Sequence, residues 1–397
     1  MSPAAPLGAA VVGYAHSQIV RRSDDPLGAL TLEVAQQAIA DAGLSPDDID
    51  GFSSSSLTPS AGSHPEIDGV STVSSTWLAQ HLGCAPTFCS GFQGHGQLPG
   101  AVGLAVSAIA SGAARHVLVH RAMHNPAGSY HRSSMSSASG GAQWIAPQGF
   151  FGPLAMIGMT YQEYLQRHSA PREAMAGVVV ESRKNGARIP WSVWKDQPLS
   201  FEDYLDSPML TDPICRLDCD MPVHGAAAFV LTSAERAADL PHRPVHVTGI
   251  ASTAPTRWRL PQHWPLDDLY EAGAAIRDRL RQVTGLDPTE VDLPQVYDGF
   301  SSLVYIWLEV LGFCGNGEAH ELVADGGIDS DDPTALPVLS GGGALGNGRM
   351  HGIPQMLECY LQLSGRAGDR QRTASTALAC HAAPHVGGVI AFASDTR

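Results

Sequence analysis

The segment Gly43-Leu44-Ser45-Pro46-Asp47-Asp48-Ile49-Asp50 returns later in the chain as Gly285-Leu286-Asp287-Pro288-Thr289-Glu290-Val291-Asp292. Each copy follows a helical pattern, Leu30 to Ala42 and Tyr270 to Val283. Each leads into a short strand-like segment that ends in Gly-Phe-Ser. Two further apolar strands, Ala9–Tyr14 and Val245–Ile250, stand in matching positions before those helices. Two copies of a β-α-β unit imply a duplicated α/β architecture.

The halves also close alike. In the first, a glycine-rich turn at 91–100 precedes a small-residue helix from Ala101 to Ala110, then Ser111-Gly112 and a strand at Val117–Val119. In the second, the turn Gly341–Gly352 precedes a helix ending at Ser364-Gly365, then a strand at Ala374–Cys380. A helix that starts on a tight glycine turn aims N–H groups and a positive dipole end at any anion or oxyanion. Small residues along such a helix favour its burial in the middle of the fold. Between about 122 and 222 the repeat is interrupted by a polar loop, Ser129–Gly141, and by helical segments around Leu154–His168 and Pro171–Asn185. The expected organisation is an N-terminal half at 1–240, carrying an inserted loop domain at about 122–222, and a C-terminal half at 241–397.

With 397 residues, 44% of them hydrophobic, the chain can bury a sizeable core. A formal charge of −15 and the lack of any basic run argue against a nucleic-acid binder. The N-terminal stretch MSPAAPLGAAVVGYA has no cationic segment followed by a long apolar one, and no window approaches the ~20 apolar residues of a membrane helix. Seven scattered cysteines fit a reduced cytoplasm better than a disulfide framework. The Cys215/Cys219 pair lacks a second pair at zinc-finger spacing, and no metal is expected.

The densest chemistry lies at Val296-Tyr297-Asp298-Gly299-Phe300-Ser301-Ser302. Behind it Phe300, Leu303, Val304, Trp307, Leu308 and Leu311 form a helical stripe, and Gly312 supplies the stop. Tyr297 therefore sits at a strand-to-helix corner, where a phenol can point into a crevice. Packed corner residue and acid/base remain open on this evidence alone. Asp298 reads as a helix N-cap.

Four stretches carry a resemblance to a known superfamily: residues 32–51, 108–123, 297–319 and 341–352. They resemble the thiolases, and within them the sterol-carrier-protein-x or lipid-transfer-protein type. The run YDGFSSLVYIWLEVLGFCGNGEA is most similar to the steroid side-chain-cleaving aldolases of that group. The resemblance implies the α/β thiolase fold, two βαβαβαββ halves in five αβαβα layers. It also implies an acyl-CoA substrate, a homodimer, and a small zinc-ribbon/OB-fold partner completing a heterotetramer.

Departures from the thiolase pattern narrow the chemistry. Counting back from Gly112 by the thiolase spacing lands on His95, within Gly94-His95-Gly96, where a thiolase carries its nucleophilic cysteine. Without a thiolate in register, covalent acyl transfer lacks its acceptor. Tyr297 stands where thiolases usually have histidine, as in the aldolase subgroup. Arg349 replaces that subgroup's second tyrosine, His351 matches the thiolase histidine, and Cys380 is followed by His381 and Ala382 in place of the usual glycines.

Retro-aldol cleavage of a β-hydroxyacyl thioester needs a base for the hydroxyl proton, an oxyanion site for the leaving enolate and an acid for its carbon. It needs no nucleophile and, beyond the coenzyme A thioester of the substrate, no cofactor. Tyr297 is the candidate base, and because a free phenol ionises near pH 10, a cation such as Arg349 or protonated His351 is expected beside it. His95, Gly94 and Gly96 are candidates for the oxyanion site, with Gly342 and Gly343 in the thioester vicinity, and Cys380 as a further catalytic candidate. His120 and His224 read as structural. Two other functions stay open: a thiolase acting through Cys89 or Cys380, and a non-catalytic acyl-CoA-binding scaffold.

Overall fold

The computed structural model describes residues 7–55, 73–91, 97–124, 143–150, 152–254, 256–257 and 264–394. The strands are β1 (Ala9–His16), β2 (Gly51–Ser54), β3 (Phe88–Gly91), β4 (His116–His124), β5 (Met209–Thr211), β6 (Ile214–Cys215), β7 (His224–Ser233), β8 (Val245–Ser252), β9 (Leu293–Gln295), β10 (Thr376–His381) and β11 (Gly388–Ser394). Helices α1 (Leu27–Asp41), α2 (Ser75–Leu82) and α3 (Leu98–Ala110) lie between the first four strands. Helices α4 (Pro153–His168), α5 (Ala176–Gly186) and α6 (Phe201–Leu205) fill the interval between β4 and β7, and α7 (Ala234–Ala237) follows β7. The rest are α8 (Leu266–Thr284), α9 (Ser302–Leu311), α10 (Ala319–Ala324), α11 (Gly343–Asn347) and α12 (Ile353–Ser364).

The strands of both halves join in one nine-stranded sheet among the described residues, ordered β3-β2-β4-β7-β1-β8-β11-β10-β9. Strands β2, β3 and β4 run parallel, as do β9 and β10, while β7, β1, β8 and β11 are antiparallel to their neighbours. The two sets meet through Ala10↔His246 and Val11↔Val245 of β1 and β8. Such a short ladder lets the sheet fold over, so that α3 packs against β2, β4, β7 and β1 of one set and β8 and β11 of the other. The small side chains Ala101, Ala105 and Ala108 make that close approach possible, and all three are buried. Helix α12 is buried along its whole length from Ile353 to Leu363 on β9, β10 and β11. Outside, α1 covers β1, β4 and β7, and α8 covers β8 and β11.

Helix α9 departs from the expectation of one apolar stripe. It is buried on every face, polar Ser302 and Glu309 included. Glu309 is accommodated because it accepts hydrogen bonds from Tyr164 Oη (2.6 Å), Tyr270 Oη (2.7 Å) and Ala319 N–H (3.2 Å). A buried carboxylate is tolerated when donors surround it. Gly312, at φ 89°, ends the helix in the left-handed conformation. The polar loop Ser129–Gly141 and residues 92–96 lie outside the described residues.

Candidate active site

Residues at or just past the C-terminal ends of parallel β2 and β4, and of parallel β9 and β10, meet through side-chain contacts, at the end of the sheet where α/β folds carry ligand sites. Tyr297 follows β9 by two residues, and its phenol folds back over its own turn. A Cβ added at Gly299 would run into the Tyr297 ring and hydroxyl oxygen, so only glycine admits this pose. The Tyr297 ring stacks on His381, with centroids 5.5 Å apart and planes at 28°.

His381 in turn holds the backbone of His351. Its Nε2 lies 2.5 Å from the His351 carbonyl oxygen; a carbonyl only accepts, so Nε2 carries the proton. His351 is a non-glycine residue at φ 45°, a conformation that costs about 1–3 kcal/mol and needs such support. On its ring, Nδ1 sits 2.8 Å from Nη2 of Arg121. Because a guanidinium only donates, Nδ1 accepts and the ring proton resides on Nε2.

Arg121, on β4, is fully buried, and no carboxylate pairs with it among the described residues. Its Nη1 donates to Ser55 O at 2.7 Å and to Ser55 Oγ at 2.5 Å. Burial lowers its pKa to about 9, a phenolate at Tyr297 opposes that shift, and Arg349 adds to it. Arg121 therefore remains a cation near neutral pH within electrostatic reach of Tyr297. A buried guanidinium without an acidic partner is costly unless an anion visits it.

Arg349 is brought to the same cluster, buried, with its backbone N–H donating to Met221 O at 2.9 Å. Both arginines bear on His351, whose pKa falls well below the usual imidazole range through burial first and then Arg349 and Arg121. This corrects the expectation of a protonated His351: the imidazole is neutral, and the cation shown to act on Tyr297 is the Arg121 guanidinium. His381 is neutral too, lowered to about 3 by burial and by Arg121.

Asp298 is a cap, but for a distant helix. Its carboxylate accepts from Ala344 N–H (2.6 Å), Leu345 N–H (3.0 Å), Ser182 Oγ (2.8 Å) and Gln355 Nε2 (2.9 Å). Gly343, at φ 55°, must be glycine because a Cβ would strike that carboxylate. Beyond Gly342 and Gly343, expected in the thioester and oxyanion vicinity, the Ala344 and Leu345 amides are held by Asp298. Ser182 comes from α5, so the segment between β4 and β7 helps to build the site.

Cys380 is fully buried in the apolar cluster with Trp307 and Leu378, and burial raises its thiol well above the usual range. Successive strand residues face opposite ways, so His381 reaches the Tyr297 ring while Cys380 does not join it by any hydrogen bond among the described residues. Cys89 is exposed on the edge strand β3, and its thiol is raised by partial burial, the reverse of what a thiolate nucleophile requires. His95, Gly94 and Gly96 lie outside the described residues. His120 contacts Val73 O through Nε2 at 3.1 Å, and His224 Nδ1 lies 2.8 Å from His124 Nδ1, both away from the Tyr297 cluster.

Residues 273–394 match the family model described as thiolase C-terminal domain-like. The chain is 31% identical over 367 residues to the 17-hydroxy-3-oxo-4-pregnene-20-carboxyl-CoA lyase of Mycobacterium tuberculosis, covering 90% of this chain and 92% of that protein. It is 29% identical over 372 residues to the steroid side-chain-cleaving aldolase of Thermomonospora curvata, covering 91% of each. The solved structure of the Ltp2-ChsH2(DUF35) aldolase superposes with a TM-score of 0.84 at 27% identity, over 99% of both chains. The chain belongs to the thiolase-fold family of steroid side-chain-cleaving aldolases.

Proposed function

We propose that this enzyme cleaves the bond between Cα and Cβ of a β-hydroxyacyl-CoA, with a steroid or bile-acid side chain as the acyl group. The observation that carries the mechanism is the Tyr297 phenol held over Gly299 within electrostatic reach of the buried Arg121, which pairs with no carboxylate among the described residues. Arg121 and Arg349 favour the phenolate over the phenol. The phenolate removes the β-hydroxyl proton, the O–H electrons form the new carbonyl, and the Cα–Cβ bond breaks toward the thioester as an enolate. His351, neutral with its proton on Nε2, can donate to the enolate oxygen. Tyr297, now protonated, can return the proton to Cα, releasing a ketone or aldehyde and a short acyl-CoA such as propionyl-CoA.

No covalent step enters this scheme. Cys380 and Cys89, with raised thiol pKa values, give the thiolase reading little support. The solved Ltp2-ChsH2(DUF35) aldolase favours a two-protein assembly, and we infer a homodimer joined by a small zinc-ribbon/OB-fold partner as a heterotetramer. Among the described residues no helix is long and apolar enough to cross a membrane, and a cytoplasmic site of action fits the free cysteines. The test is mass spectrometry of products from a 17-hydroxy steroid side-chain CoA thioester with the partner present. A steroid ketone plus propionyl-CoA supports the reading; acetyl transfer to coenzyme A, or no turnover, refutes it.

A further inference from the structure

The Tyr297 phenol and the His351 imidazole must act on one substrate, yet neither residue stands on a helix or strand. Tyr297 lies in the turn after β9. His351 lies just ahead of α12 at φ 45°, followed by Gly352 at φ 83°. A left-handed residue with a side chain persists only where its surroundings fix it. One side chain touches both groups. The His381 ring stacks on the Tyr297 ring with centroids 5.5 Å apart, and its Nε2 donates to the His351 carbonyl oxygen. A Cβ at Gly352 would run into the same ring. His381 is 2% exposed, and its Nδ1 makes no hydrogen bond among the described residues. The bond to His351 is thus the ring's one hydrogen bond there.

His381 is itself fixed through the backbone on either side of it. It ends β10, in register with Gly388 of β11. The next residue, Ala382, is at φ 54°, a conformation that a residue with a Cβ rarely adopts. Its carbonyl accepts the indole N–H of Trp307 at 2.8 Å. The chain then turns tightly, with Val386 N–H and Gly387 N–H both donating to Ala383 O at 3.1 and 2.7 Å. Trp307 is fully buried on α9, the helix that follows Tyr297. The segment from Tyr297 to Trp307 therefore grips the end of β10 at two points: a ring stack at its start and a hydrogen bond from its helix.

We propose that His381 is a positioning residue for the cleavage: its ring sets Tyr297 and His351 relative to each other, and Trp307 holds it in place from α9. The proposal rests on the reading of Tyr297 as the base and of His351 as the donor to the enolate oxygen. Three variants separate the contacts. His381→Phe keeps a ring for Tyr297 and loses the donor to His351. His381→Gln keeps an N–H donor in the place of Nε2 and loses the ring. Trp307→Phe leaves His381 intact and removes the indole N–H. Each should lower kcat by about tenfold or more and leave KM nearly unchanged, because misplacing reacting groups costs rate before it costs binding.

A second readout needs no turnover. The His351 imidazole signal, assigned by its loss in His351→Asn, is followed by NMR from about pH 5 to pH 8, the range in which a free histidine titrates. Burial, Arg349 and Arg121 keep His351 neutral, so its signal should stay still in the natural protein and in His381→Gln. In His381→Phe the carbonyl loses its donor, the turn relaxes, and the signal should begin to titrate. A still signal in His381→Phe, or unchanged kcat in either His381 variant or in Trp307→Phe, overturns the proposal. Should His381→Phe fail to fold, the other two variants decide it through kcat. A natural protein that cleaves no β-hydroxyacyl-CoA refutes the lyase reading instead, and the His351 signal still decides whether His381 holds that histidine.

Discussion

Nη2 of Arg121 lies 2.8 Å from Nδ1 of His351, and that one contact sets the tautomer of the imidazole and the place of the nearest buried cation. The consequence is a neutral histidine that carries its proton on Nε2, beside a guanidinium that pairs with no carboxylate among the described residues. Removing the charge while keeping the shape separates function from packing. Arg121→Met should leave stability unchanged or raise it, because a buried ion gives way to an apolar chain of similar volume. It should lower kcat by about 10²-fold or more. Thermal melting and steady-state kinetics on the same preparation check both; a large loss of stability with normal kcat would make Arg121 a structural residue.

Gly299 is required by the ring above it. Gly299→Ala places a methyl where the Tyr297 hydroxyl now sits, so the phenol must rotate out of its pose. Displacing a catalytic group by about 1 Å can cost about 10²-fold in rate. The expected result is a fall in kcat with little change in KM. An unchanged kcat would show that the folded-back pose is not the working one.

Asp298 holds four donors at once, and each becomes unsatisfied if the carboxylate is removed. Every buried donor left unpaired costs about 1–3 kcal/mol. Asp298→Ala is therefore expected to lose several kcal/mol of stability in denaturant unfolding, independent of any substrate. A loss below about 1 kcal/mol would contradict the network.

The buried Asp220 makes a pH prediction for the fold itself. Burial raises its pKa in the folded chain to about 7, from the roughly 3.9 of a free aspartate. Between those values the folded state keeps a proton that the unfolded chain releases, so unfolding sheds a proton and stability falls as pH rises. Relative to Asp220→Asn, the natural protein should lose stability progressively from about pH 4 to pH 7. Unfolding free energies of both proteins across that range decide it; a difference independent of pH contradicts the burial of the carboxyl.

The repeat at Gly43–Asp50 and Gly285–Asp292 made the duplicated architecture legible, because each copy marks the end of an α-helix and the start of a strand. Tyr297, His351 and Arg349 were legible because they lie in short runs of chemically distinctive residues, and the fold brings all three to one crevice. Arg121 was hidden for a physical reason: within the apolar strand β4 it looks like the solvated end of an edge, and its burial depends on Ser55 and His351, which lie far away in sequence. Cys380 is the more conspicuous neighbour in sequence, although strand alternation puts only His381 beside Tyr297. The position of Asp298 in sequence suggests a cap for the helix that follows it, whereas its partners Ala344 and Leu345 are reached only through the tertiary fold.

The central claim is that Tyr297 removes the hydroxyl proton in a cleavage without a covalent intermediate. Turnover of the steroid β-hydroxyacyl-CoA by Tyr297→Phe, compared with the natural enzyme and with enzyme treated by iodoacetamide, tests it most directly. The phenylalanine variant should fold normally and lose at least about 10²–10⁴-fold in kcat, while alkylation should leave activity in place. Full activity in Tyr297→Phe, or inactivation by iodoacetamide that acyl-CoA protects against, would contradict it.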